Sequence, residues 1–93
     1  MSNKFATRLG ALKRRALLSN AELALWLDVP ISSVQGWLYL GRQPIWMRQP
    51  DVEKRITFLE RAIKRGELPP PSSVRQGERL SYVRRIRDAG ASV

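Results

Sequence analysis

The chain has 93 residues, enough for one domain, and 43% of them are hydrophobic, which argues against wholesale disorder. It has no cysteine and no histidine, which excludes disulfides, thiolate and imidazole metal sites, cysteine nucleophiles and imidazole bases. Seventeen lysines and arginines against eight carboxylates leave a net charge of +9, a balance that favours a polyanionic partner, with a membrane surface the weaker candidate. The carboxylates are scattered and no glycine-rich phosphate loop is present, so we expect no enzyme activity, no cofactor and no metal. No apolar run approaches the roughly 18–20 residues of a membrane span, and residues 1–8 lack a signal-peptide core. The expected location is cytoplasmic, with no membrane partner.

Residues 3–18 predict a first helix. Phe5, Leu9, Leu12 and Ala16 form its apolar stripe, and Lys4, Arg8, Lys13, Arg14 and Arg15 decorate the remainder. Gly10 weakens this helix by about 1 kcal/mol relative to alanine. Ser19 and Glu22 then make a capping-box pattern, in which hydroxyl and carboxylate each satisfy a backbone amide. A second helix over 20–27 would pack through Leu23, Ala24 and Leu27. Asp28 and Val29 form a turn, and Pro30 suits the first turn of a third helix over 30–39, where its missing N–H is not needed. Val34, Trp37 and Leu38 are the apolar face of that helix. Trp37 is expected in the core, and Trp26 either there or at a dimer contact.

Gly41 and Pro44 stop the third helix. Ile45, Trp46 and Met47, bounded by Pro44 and Pro50, are expected to fold back over the core as a lid, with an interface anchor the alternative for Trp46. A fourth helix over 51–65 has acids near its start and bases near its end, in keeping with the helix dipole. Its seam, Val52, Ile56, Leu59 and Ile63, is widened by Phe58 and Ala62. The seam has two readings, packing on the first helix within one monomer or on a copy of itself; it is too short for an independent coiled coil but sufficient as part of a larger interface, and we expect the homodimer. Three prolines within 67–75 favour an extended spacer. Beyond it, 76–89 predicts a last helix with Leu80, Tyr82, Val83 and Ile86 apolar. Arg75, Arg79, Arg84, Arg85 and Arg87 crowd this segment, which suits a solvated helix, a second nucleic-acid contact or the docking of a protein partner. The expected organisation is therefore a helical domain over 1–66, a linker over 67–75 and an arginine-rich C-terminal helix over 76–93.

The stretch 20–41, two short helices joined by a tight turn, has the layout of a helix-turn-helix, whose second helix enters the DNA major groove. The residues 20–24 (Asn-Ala-Glu-Leu-Ala), the apolar pair Leu27 and Val29, the start Ser32-Ser33-Val34 and the exit from Gly41 to Pro44 resemble the DNA-binding domains of the lambdoid repressor and Cro class, the XRE-like group. Asp28 stands where that family usually has glycine, and aspartate is among the few residues that tolerate the left-handed backbone. Trp37 is bulkier than the usual residue, and Gly36 lies inside the third helix. The resemblance covers about half the chain. It implies an all-α bundle of four to five helices, dimeric binding to double-stranded DNA and transcriptional control, often in a phage or mobile element.

Between Ala16 and Gly41 there is no lysine or arginine. Phosphate contacts position a protein on DNA while base-edge contacts specify sequence. Arg8, Lys13, Arg14, Arg15, Ser33, Arg42 and Arg48 are the expected phosphate contacts. Ile31, Ser32, Gln35 and Tyr39 are the expected base contacts, with Gln35 suited to adenine and Ile31 to a thymine methyl. Two alternatives use other partners: a DNA-recognition subunit of a viral packaging or assembly complex, and an adaptor that holds a polymerase or host factor.

Overall fold

A computed structural model of the chain describes residues 4–91. Within them the protein is all-α. Five α-helices follow one another: α1 (Lys4–Ala16), α2 (Asn20–Leu27), α3 (Ile31–Tyr39), α4 (Gln49–Lys64) and α5 (Arg79–Ala91), the last entered through a 3-10 turn at Gln76–Glu78. Residue 3, the expected start of the first helix, lies outside the described residues. None of the helices is long and apolar enough to cross a membrane.

α1 buries Leu9, Leu12 and Ala16 and ends two residues before its expected limit, because Leu17 takes a left-handed backbone with φ of 52°. That reversal leaves Leu17 exposed and drops Leu18 into the core. The capping box then starts α2: the Glu22 amide donates to Ser19 Oγ at 3.1 Å, and the Ser19 amide donates to Glu22 Oε1 at 2.8 Å. Asp28 adopts φ of 56°, the left-handed turn its side chain permits. Pro30 precedes α3 as its N-cap, and its carbonyl accepts the Ser33 amide at 3.0 Å.

α4 begins two residues earlier than expected, with Pro50 taken into its first turn. It buries Val52, Ile56, Leu59 and Ala62 against the other helices of the same chain. Trp26 is fully buried, and its indole N–H donates to the Arg55 carbonyl at 2.9 Å. Trp37 is also buried and meets Phe5 edge-on, with ring centroids 5.7 Å apart. Arg55 joins Asp51 at 3.2 Å and reaches Asp28 at 3.9 Å, tying α4 to the turn between α2 and α3.

Two expectations about the loops need correction. Ile45, Trp46 and Met47 do not cover the core: they are 56%, 78% and 65% exposed. Pro44 is the buried residue there, and the amides of Arg48 and Gln49 donate back to the Ile45 carbonyl, so the turn projects its apolar side chains outward. Nor does the proline-rich segment hold the last helix away from the bundle. Leu68 is buried, Tyr82 Oη donates to the Glu67 carbonyl at 2.7 Å, and Val83 enters the same core as α2 and α4. The radius of gyration, 12.8 Å, is close to the roughly 12 Å of a single compact chain of this length. Leu80, expected on the apolar face of α5, is exposed.

Candidate nucleic-acid interface

α3 is a nine-residue helix with a sharp division between its faces. Val34 and Trp37 point inward. Ile31, Gln35 and Tyr39 recur every fourth residue on the outer side with Ser32 beside them, and all four are exposed. The helix thus presents one aliphatic, one phenolic and two neutral polar side chains to solvent. Tyr39 Oη is 3.4 Å from Asn20 Oδ1 at the start of α2, a long contact that steadies the ring beside the strip.

Basic side chains stand on both flanks of this strip. On one side an open groove of about 510 Å³ runs between α1 and α3, lined by residues that include Lys13, Arg14, Leu38 and Tyr39. On the other, a pocket of about 280 Å³ lies between the N-terminal half of α3 and the following loop, lined by residues that include Pro30, Ser33, Ile45 and Arg48. Ser33 is half-buried and Arg48 exposed. The side chains of Lys13, Arg14 and Arg48 make no ion pair among the described residues. Arg42 follows α3 and lies back against Gly36.

Other expected site residues are used elsewhere. Arg8 donates to Glu53 Oε2 at 2.7 Å and to Glu60 Oε1 at 2.5 Å, an exposed pair of contacts that links α1 to α4. Those hydrogen bonds, the one to Glu60 first, raise its pKa above the ordinary arginine value. Within the chain Arg8 is thus engaged in joining α1 to α4. Arg15 follows Arg8 by seven residues and so shares its flank, turned away from the groove that holds Lys13 and Arg14. The expected dimer seam is corrected too. Val52, Ile56 and Leu59 are at most 1% exposed within a single chain and Ile63 is half-buried, since α1, α2 and α5 already cover that face of α4.

The C-terminal helix contributes contacts that its composition does not separate. Arg79 Nε donates to Glu22 Oε2 at 2.7 Å, and its Nη2 donates to Glu22 Oε1 at 3.1 Å and to the Leu17 carbonyl at 2.6 Å. Arg87 Nη1 donates to the Leu25 carbonyl at 2.6 Å, in the last turn of α2. Burial alone would raise the Glu22 carboxyl, but the Arg79 hydrogen bond and the Ser19 amide outweigh it and hold the group below the ordinary carboxylate range. The signal for this inward stripe is the spacing of four that joins Arg79, Val83 and Arg87. Arg84 and Arg85 face solvent, Arg85 lying 5.5 Å from the centre of the Tyr82 ring.

The described residues hold no cluster of carboxylates suited to a metal ion. No protein-family profile, curated protein or solved structure matches this chain.

Proposed function

We propose that the chain binds double-stranded DNA sequence-specifically, with α3 in the major groove, and acts as a small transcriptional regulator of the repressor and Cro kind. One observation carries this reading. A neutral, outward-facing strip, Ile31, Ser32, Gln35 and Tyr39, is bracketed by Lys13 and Arg14 on one flank and by Ser33 and Arg48 on the other. A helix seated in the major groove has a phosphate strand on each side and base edges in front, so the arrangement matches the charge pattern of the duplex. The net charge of +9 and the resemblance of 19–41 to the XRE-like group support the same reading. Gln35 pairs with an adenine edge, Ile31 packs on a thymine methyl, and Ser32 and Tyr39 contact the neighbouring base pairs. No catalytic step is involved. A homodimer on DNA would use a surface other than the α4 seam and would place half-sites about 10–10.5 base pairs apart or at a multiple of that spacing.

Fluorescence anisotropy with duplexes selected from a random pool tests the proposal. A selected duplex binds about 10³-fold or more tightly than random duplex at the same salt. Equal affinity for both overturns the specific-regulator reading. A second reading, an adaptor that captures a protein partner, draws on the exposed Ile45, Trp46 and Met47. Stoichiometric capture of a polymerase in the absence of DNA, with no selectivity among duplexes, would favour it.

A further inference from the structure

α3 has no cation of its own, yet the fold brings one to it. Gly41 adopts φ of 69°, a left-handed conformation, and turns the chain back on the helix it has just left. The Arg42 amide consequently donates to the Gly36 carbonyl at 3.1 Å. The Arg42 side chain follows the same path. A Cβ added to Gly36 would lie 3.1 Å from Arg42 Cδ and 3.8 Å from both its Cβ and its Nη1. Root, middle and tip of one arginine are thus laid over one glycine.

Gly41 alone would be an ordinary helix stop. Gly36 is not explained that way, since glycine inside a helix costs about 1 kcal/mol relative to alanine. What it provides here is a floor without a side chain. Gly36 is buried beneath Arg42 although its neighbour Gln35 is exposed, and Arg42 itself remains exposed. Gly36 stands one turn after Ser32, so the covered strip adjoins the outward face on the Ser32 side. The guanidinium makes no hydrogen bond or ion pair among the described residues, which leaves its planar fork of donors open.

We propose that Arg42 is a base reader, not a phosphate contact: its guanidinium donates two parallel hydrogen bonds to O6 and N7 of a guanine, beside the base pairs met by Ser32 and Gln35. The inference rests on the reading of α3 as a groove helix. The geometry favours a base over a phosphate because the side chain lies along the helix that fills the groove. The flanking phosphate positions are already served by Lys13, Arg14, Ser33 and Arg48. The planar fork matches the guanine edge with two fixed donors, a geometry that lysine's flexible point charge meets less well.

The test uses the full chain and compares selection from random duplexes, followed by anisotropy titrations over a salt series, for wild type, Arg42→Ala, Arg42→Lys and Gly36→Leu. The selected wild-type site should contain one base pair where guanine is preferred by roughly 5–150-fold. Arg42→Ala should lose that preference and Arg42→Lys should weaken it, and both should keep the preferences at the other positions. Gly36→Leu, which retains Arg42 but displaces it, should lose the same preference. Circular dichroism of each variant should be that of wild type, because Arg42 is exposed and the atoms a side chain at Gly36 would meet belong to the movable Arg42 side chain. If Arg42→Ala weakens binding to every duplex alike and flattens the salt dependence while the guanine preference persists, the arginine contacts phosphate and the proposal falls, with the DNA reading intact. Wild type that shows no preference among duplexes overturns the DNA reading itself, a result seen before any variant is compared.

Discussion

Arg79 and Arg87 on α5 and Arg14, Arg42 and Arg48 around α3 carry the same side chain into opposite settings. The first two turn inward: Arg79 holds the buried Glu22 with two hydrogen bonds, and Arg87 closes on the carbonyl of Leu25. The other three face solvent without an ion pair among the described residues, next to a helix with no charge of its own. Arg8 belongs with the inward pair in function, since it joins two glutamates of α4. A net charge of +9 is therefore a poor map of where a polyanion would bind. The footprint is what remains after the cations that hold the bundle together are set aside, and around α3 what remains lies on both sides of a neutral strip.

The largest effect expected from breaking this contrast is at Glu22. Replacing it by alanine removes the carboxylate half of the capping box of α2 and leaves the Arg79 guanidinium without its partner, so the bundle should lose about 3 kcal/mol. A thermal melt reads this directly, and a melting temperature within a degree or two of wild type would show that α5 is not anchored through this pair. The carboxyl is held below its ordinary value of 4.5, so its stabilisation is fully present above that pH and is lost as the pH falls through the depressed folded-state value. Glu22→Gln should be less stable at neutral pH and should flatten the acid limb of the stability curve.

On the solvent side of the contrast, Arg14→Ala and Arg48→Ala should weaken binding to every duplex. Each should lower the slope of log affinity against log salt by about one. Arg8→Ala should leave that slope unchanged, because its charge is spent on Glu53 and Glu60. Gln35→Ala should cost about 1–3 kcal/mol on the selected site and relax one base pair. Titrations at three salt concentrations separate the classes. A steeper loss for Arg8 than for Arg14 would reverse the assignment of flanks.

The parts of this site legible in the sequence are those set by neighbours in the chain. Ser19 and Glu22 declare the start of α2, Asp28 accepts the left-handed turn, and the period of α3 separates Val34 and Trp37 from Ile31, Gln35 and Tyr39. The parts that were not legible depend on residues far apart. Arg8 meets partners 45 and 52 positions away, and no local pattern announces them. The seam of α4, expected as a dimer face, reads in the sequence as core too, because periodicity shows that a face is buried and not against what. The loop with Trp46 has no period to interpret. The fold-back of Arg42 depends on the sign of one dihedral at Gly41 together with an empty place at Gly36.

A smaller effect, and one of opposite sign, is expected at Gly10. It lies inside α1, on the wall of the groove that holds Lys13 and Arg14, and a Cβ there meets only Leu38 Cδ2 at 3.9 Å, an ordinary contact. Gly10→Ala should therefore stabilise the bundle by up to about 1 kcal/mol, through the lower entropy of the unfolded chain and the better helix propensity. A loss of stability would mean that α1 and α3 approach more closely than this geometry allows.

The smallest change in stability is expected at Trp46, and it sharpens the comparison from the apolar side. Trp26 and Trp37 are buried and Trp46 is 78% exposed, so Trp46 should account for the acrylamide-quenchable part of the fluorescence. Trp46→Phe should shift stability by less than about 0.5 kcal/mol, as exposed substitutions usually do, and should remove that quenchable part. If the ring closed over the core, its truncation in Trp46→Ala would cost about 3 kcal/mol or more, as a large core truncation does, and wild-type fluorescence would resist acrylamide. The measurement thus decides whether the loop after α3 belongs with the inward residues that hold the bundle or with the outward ones that await a partner. Val29, Ser33 and Arg48 share a pocket with Ile45, the neighbour of Trp46, so protection of the ring on adding duplex would place this loop against the DNA beside α3.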